Sequence, residues 1–398
     1  MKQIKAFCIF LLLLAAVLAV SSATAEKTIT LTFTGDCTIG SEEATRLNDD
    51  SFDTLAKAKG YDYFFANYRS LFEQDDLTVI NFEGVLSESK TQESRIKRYR
   101  FRGPTEFVKV LTGSSIEACS LANNHIADFG TQGAESTRAV LEENGIAWFQ
   151  QYHYYMYEKD GIKIAFVSLH NIWNEFEKVK ALLLDLKEKQ GANAIVVCWH
   201  AGREYRGGHE TNVERTSQAM VKYGADLIIM HHPHVLQGMN VSKNRCIFYS
   251  LGNFVFGGNS RIKTENYKLN ESVTSLHSIV VQAKLTFTNN GRYLGQQVTL
   301  YPTYNSSGAM DKNGQQINNY QPFRADAEQA VPVRYAIQRD STYQMPEITT
   351  DADGLSLIEL PYMPAFDNIE IPEDDGADGP KGAPEASSPN PTRDSKGQ

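Results

Sequence analysis

The sequence predicts a layered α/β protein with a mixed sheet, and three observations predict it. From Glu26 to about Pro302, short β-branched apolar runs alternate with helix-like stretches, the pattern of strands layered against helices. Six of those runs end abruptly in Asp, Glu, Asn or His. A later segment, Ser278–Thr288, alternates apolar and polar residues as an antiparallel strand does, so parallel and antiparallel strands are expected together.

Taken in order, Lys2 and Lys5 precede the apolar run Phe7–Val20, and Ala23-Thr24-Ala25 offers a small-residue cleavage site. Residues 1–25 therefore read as a signal peptide, the run being short for a membrane span; an uncleaved N-terminal anchor is the alternative. The run Thr28–Thr34 leads into Gly35-Asp36, Leu77–Ile80 into Asn81-Phe82-Glu83, and Ile116–Ala122 into Asn123-Asn124-His125. Thr131–Asn144 has helical spacing with Gly145 as its stop. Lys163–Leu169 is another strand and Val179–Lys189 another helix. Ala194–Trp199 leads into His200. Val213–Tyr223 is a helix closed by Gly224, and Ala225–Met230 leads into His231-His232-Pro233-His234. Cys246–Leu251 leads into Gly252-Asn253. Past Pro302 the character changes. Residues 303–369 hold an Asn-, Gln-, Gly- and Ser-rich stretch and then scattered apolar groups, and are expected to form an appendage to the 26–302 domain. Residues 370–398 carry too little apolar content to fold and read as a disordered tail.

The chain has 398 residues, 41% hydrophobic and 22% charged, enough for a large core. A net charge of −9 excludes a global attraction to nucleic acid. Outside the signal, Cys37, Cys119, Cys198 and Cys246 remain. An even number permits disulfides in an exported protein. Their places beside or inside predicted strands favour buried thiols that pack as small hydrophobes.

The strand ends carry the chemistry. Residues two apart in extended chain point the same way, so His232 and His234 converge, with Pro233 fixing φ between them. Convergent imidazoles suit Zn, Mn or Fe. Taken alone, the run reads equally well as a polar loop whose histidines face water. Repetition breaks the tie: ligands bind outside the carboxyl ends of strands in open α/β sheets, and six strand ends here offer metal-ligand side chains. Arg95, Lys97, Arg98, Arg100 and Arg102 form a dense basic segment. In a strand Arg98, Arg100 and Arg102 share a face. They either hold an anion, with Arg100 and Arg102 as substrate-binding groups, or protect a solvated strand edge. Arg203 and Arg206 flank the His200 loop in the same way. His153, His170, His209 and His277 lie outside these motifs and read as ordinary residues, and Asn123 as a shaper of its loop.

The ordered set Gly35-Asp36, Asn81-Phe82-Glu83, Ala122–Gly130, His200–Glu204, His231–Val235 and Ser250–Phe256, with Tyr99–Pro104, closely resembles the CapA family of poly-γ-glutamate capsule biosynthesis proteins. The resemblance spans roughly residues 28–302. It implies a calcineurin-like metallophosphatase fold, a four-layer α/β/β/α sandwich with mixed sheets and a metal site at strand ends. By resemblance Asp36, Glu83, Asn124, His200, His232 and His234 are metal ligands, with Glu83 in the bridging place, and His125 is the catalytic histidine. Asp128 and Glu204 resemble groups that orient neighbouring histidines, and Asn253 and His231 support the site from behind. The sequence departs from the pattern at Thr38, where phosphatases carry a histidine, and at Met230 and Ala201. One or two divalent ions per chain (Mn, Zn or Fe) are therefore expected.

Such a site suits in-line displacement, since two metals about 3.5–4 Å apart clamp the attacking and leaving oxygens. His125 then protonates the leaving group or stabilises developing charge. Three functions follow: a metal-dependent hydrolase or transferase acting on an anionic envelope polymer, a phosphoesterase for an unrelated phosphate, or a non-catalytic scaffold in a membrane-bound polymer synthesis and export complex.

Overall fold

Alternation along the strands builds the layers. The structure is a computed structural model that describes residues 26–260, 264–267, 271–314 and 316–366. The expected signal peptide and the whole of the expected tail, 370–398, lie outside the described residues. In the first strand, Glu26–Thr38, the side chains of Ile29, Leu31 and Phe33 enter a central core. In Leu77–Phe82, Leu77 and Val79 enter that core while Ile80 and Phe82 face the other way. The strand Ala194–His200 sends Ala194, Val196 and Cys198 to the central core and Ile195, Val197 and Trp199 to an outer one. Both sheets are thus buried on both faces, which explains their near-continuous apolar runs.

Two sheets pack through the central core. In the larger one, Glu26–Thr38 lies parallel to Leu77–Phe82, which is followed by Ala118–Ser120 and Ala147–Phe149. On its other side the antiparallel strands His277–Thr288 and Tyr293–Tyr304 extend the sheet. The smaller sheet places Ile162–His170, Ala194–His200, Leu227–His231 and Arg245–Phe248 in parallel, with antiparallel strands at its edges. The helix Phe176–Glu188 covers the outer face of the smaller sheet with Phe176, Val179, Leu183 and Leu186. The helix Gly130–Glu143 buries Leu141 against the larger sheet. The result is the four-layer α/β/β/α sandwich with mixed sheets.

Three expectations are corrected. The strand predicted over 116–122 contracts to Ala118–Ser120: the Ser168 hydroxyl contacts Ser120 Oγ at 2.7 Å and accepts from Ala122 N at 2.9 Å, drawing the chain toward the second sheet. The run at 246–251 leaves its strand at Phe248. Gly252, at φ 74°, then turns the chain into the larger sheet, where Asn253–Phe256 pairs in parallel with the first strand. Finally, the boundary expected at Pro302 does not divide the core. Ser356–Glu359 and Met363–Pro364 pair with Tyr293–Tyr304. Val333 and Ile337 of the helix Ala327–Gln338 join the central core. The four described cysteines are free and buried, with no disulfide among the described residues.

Candidate metal centre

Strand register assembles this site before any side chain is considered. Asp36 lies across from Asn81 on one neighbouring strand and from Asn253 on the other. In the facing sheet, His170, His200 and His231 stand in register at the ends of three parallel strands. Loops leaving both sets of strand ends meet in one space, as the strand-end reasoning requires.

At its centre is Glu83, fully buried, with neither carboxylate oxygen hydrogen-bonded. Three imidazoles face its Oε1: His125 Nε2 at 3.7 Å, His200 Nε2 at 3.7 Å and His234 Nε2 at 3.8 Å. These separations are too long for hydrogen bonds but suit groups that share a cation. Burial pushes the Glu83 carboxyl well above its usual range, against the opposing pull of His234. An orphaned buried carboxylate is costly unless something compensates it, and a cation does so. His232 Nδ1 is also buried and unpartnered. Ligand atoms of Glu83, His200 and His232, and those of Asp36, Glu83 and His234, lie within 4.8 Å of one another. The donor set of carboxylates and imidazoles fits a divalent ion.

The surrounding contacts hold these ligands in place. Asn81 Nδ2 donates to Asp36 Oδ1 at 2.8 Å. His234 Nδ1 meets Asn253 Oδ1 at 2.9 Å and Asp36 Oδ2 at 3.4 Å. Burial alone would raise the Asp36 pKa, but hydrogen bonding from His234 and the charges of His231 and His234 lower it. Asn124 Oδ1 lies 2.8 Å from His200 Nε2, and His231 Nε2 is 3.0 Å from the Thr34 carbonyl. His125 Nδ1 is 2.7 Å from Asp128 Oδ2, which leaves Nε2 facing Glu83. The Phe101 ring packs 4.3 Å from His125 and Phe256 4.8 Å from His234, walling one side from water.

The predicted ligands therefore converge, as do Asp128, Asn253 and Glu204, but the route for His232 and His234 differs from the expected one. They take φ values of 105° and 57°, so a left-handed bend brings them together rather than β alternation. Non-glycine residues held in that region cost of order 1–3 kcal/mol each. The basic segment is corrected too, because only Phe101–Gly103 is a strand. Arg102 Nε donates to Glu43 at 3.0 Å and Nη1 to the Ser87 carbonyl at 2.6 Å. Arg100 Nε donates to Glu93 at 2.8 Å and Nη1 to the Lys97 carbonyl at 2.7 Å. Both guanidiniums fasten the loop through these bonds.

Three groups at the site escaped sequence reasoning in the places they occupy: Asn81, His170 and Lys97, the last weighed only as part of the basic segment. Asn81 stands two residues before Glu83 in the same motif, the signal that could have found it. His170 Nδ1 lies 3.2 Å from the His200 carbonyl, at the end of a strand whose terminal position was a usable signal. Lys97 Nζ donates to Asp128 Oδ1 at 2.6 Å and to the Asn124 carbonyl, and nothing in its spacing marks it among the neighbouring cations.

The family model for Bacterial capsule synthesis protein PGA_cap matches residues 30–258. The chain belongs to this family. It is 28% identical over 282 residues to the capsule biosynthesis protein CapA of Bacillus anthracis, covering 63% of this chain and 66% of that protein. It is 28% identical over 223 residues to the PGA biosynthesis protein CapA of Bacillus subtilis (strain 168), covering 51% of this chain and 59% of that one. The match thus spans a little under two thirds of these relatives' length. Among solved structures, the Thermus thermophilus sulfate thiohydrolase SoxB is similar at a TM-score of 0.37 and 13% identity, over 69% of this chain and 56% of that one. That likeness is too loose to bear on chemistry.

Proposed function

We propose that this PGA_cap protein is an exported, metal-dependent hydrolase or transferase that acts on an anionic capsule or envelope polymer, with poly-γ-glutamate as the substrate class. The observation that carries the catalytic part is the buried Glu83 carboxylate, unpaired and faced by three Nε2 atoms at 3.7–3.8 Å. Membership in the capsule synthesis family supports the polymer, and the signal-like residues 1–25 support export. Asp36, Glu83, Asn124, His200, His232 and His234 would hold one or two of Mn, Zn or Fe. The ion supplies Lewis acidity toward a carbonyl or phosphoryl oxygen and activates water as a nucleophile.

The chain's own groups do the rest. Asp128 holds His125 through Nδ1 at 2.7 Å, so Nε2 is the atom that gives or takes a proton at the leaving group. The Phe101 and Phe256 rings, 5.6 Å apart, keep water from that side and strengthen the electrostatics of the pocket. The same geometry accommodates a phosphoester, and experiment separates the two. Protein stripped with chelator and reloaded with Mn²⁺, Zn²⁺ or Fe²⁺ is assayed on γ-glutamyl peptides and on a chromogenic phosphodiester. Hydrolysis or transfer of the γ-glutamyl bond is expected. Turnover of the phosphodiester alone replaces the polymer by a phosphate substrate. Absence of metal by elemental analysis removes both enzymatic readings and leaves the scaffold.

A further inference from the structure

Three carboxylates, Asp36, Glu83 and Glu204, share candidate ligand sets with the histidines of this site. Asp36 and Glu83 are fully buried beneath them. The third, Glu204, is exposed and comes from the solvent side, on the loop after the strand Ala194–His200. One of its oxygens and one ring nitrogen each of His232 and His234 lie within 4.8 Å of one another, the same limit that the other two ligand sets meet. Ligands that each stand about 2.0–2.2 Å from one ion lie at most about 4.4 Å apart, so a small turn of the exposed Glu204 side chain brings the three onto a single ion.

Glu204 is held there. On one side of it Ala201 N donates to the His231 carbonyl at 3.0 Å, and on the other Tyr205 N donates to the Pro233 carbonyl at 2.8 Å. The loop is thereby tied to the same bend that carries His232 and His234. A second observation points to a ligand between them: His232 Nδ1 is buried with no hydrogen-bond partner. Meanwhile the side chain that departs from the family pattern beside Asp36 supplies nothing to the site. Thr38 is 1% exposed, and its hydroxyl accepts from Gly258 N at 2.8 Å.

We propose that Glu204 is a metal ligand, not merely a neighbour that orients histidines, and that with His232 and His234 it completes the coordination of a second cation that Thr38 leaves short. The inference rests on the metal-dependent reading above. Replacing an imidazole by a carboxylate makes this position harder and more oxygen-rich. It therefore tilts selectivity toward Mn²⁺ or Fe²⁺ and away from the all-imidazole preference for Zn²⁺.

The test is metal binding by the full chain, read without any substrate. Apoprotein is titrated with Mn²⁺ by calorimetry, and bound metal is counted by elemental analysis after equilibrium dialysis. Wild type is expected to take up two Mn²⁺ per chain. Glu204→Gln should retain one and lose the second, or bind it at least ~10-fold more weakly. Glu204→His should recover the second ion with its preference moved toward Zn²⁺. Because Glu204 is exposed, both apoproteins should unfold at the wild-type temperature. Wild-type stoichiometry and affinity in Glu204→Gln overturn the proposal, as does a single ion in both proteins, while the metal-dependent reading survives either result. A wild type that binds no metal overturns both.

Discussion

Lys97 shows how a site residue can hide among its neighbours. It is one of five cations within eight residues, from Arg95 to Arg102, yet it alone among the described residues of that segment donates to both Asp128 and the Asn124 carbonyl. It thereby pins the turn that carries a predicted ligand and the predicted catalytic histidine. Lys97→Met is expected to lower kcat about 10- to 100-fold, as loss of an outer partner typically does, with KM changing little because Lys97 is turned to the turn and not to open space. Lys97→Arg should restore part of the rate, since a guanidinium can still reach both acceptors. Steady-state kinetics on whichever substrate the metal-loaded protein turns over decides it, and unchanged kcat in Lys97→Met rejects the role. The predicted ligands were legible as a cluster for a reason that does not extend to Lys97. Asp36, Glu83, His200, His232 and His234 each follow an apolar strand, a one-dimensional signal. Lys97 acts through a contact 31 residues away in sequence, which spacing cannot show.

Among elements, the junction between the first strand and Asn253–Phe256 carries the tightest constraint on the site. Asp36 N donates to the Gly252 carbonyl at 2.8 Å, and a Cβ on Gly35 would stand 2.2 Å from that same oxygen. Gly35 is thus required by close approach of backbone. The contact places Asp36 beside Asn253, which holds His234. Gly35→Ala must push the two segments apart. It should cost roughly 1–3 kcal/mol, as overpacking in a filled interior does, and should also weaken metal binding, because Asp36 and His234 move with the backbone. Guanidinium unfolding of the apoprotein and metal titration measure the two effects separately, and wild-type behaviour in both contradicts the assignment. The strands of the central core were read well because their patterns are strong, and a substitution such as Ile229→Ala should cost about 2–5 kcal/mol by leaving a cavity. The bend at His232 and His234 was not legible as a bend. Its positive φ values belong to no glycine and follow from the contacts with Asp36 and Asn253 that only the folded chain provides.

On the scale of the whole molecule, the segment after Pro302 packs more closely than an appendage would. The scattered apolar residues Ile337, Ile358 and Met363, which follow its polar stretch, join the central core, and the segment touches both sheets. The helix Ala327–Gln338 packs on the larger sheet, and its end delivers Asp340 to the smaller one. There Asp340 accepts from Gly238 N at 2.8 Å and from His209 N at 3.1 Å, and lies 2.9 Å from His209 Nδ1. His209 is stacked on Tyr249 at 3.7 Å, with Glu214 at 3.7 Å from its other nitrogen. Burial would lower the His209 pKa, but the hydrogen bond and charge of Asp340, with the charge of Glu214, raise it. The sign of the linkage follows: a raised pKa in the folded state means that protonation favours folding. The contribution is complete below the unfolded value of about 6.5 and is lost as pH rises through the folded value. His209→Gln should therefore destabilise by about 1–3 kcal/mol at pH 5.5, the scale of a lost hydrogen bond to a charged group, and by clearly less at pH 9. Denaturant midpoints of wild type and variant across that range measure the difference. A gap between the two proteins that stays constant or widens with pH would mean that His209 is not held protonated by Asp340 and that the join between the sheets rests on packing alone.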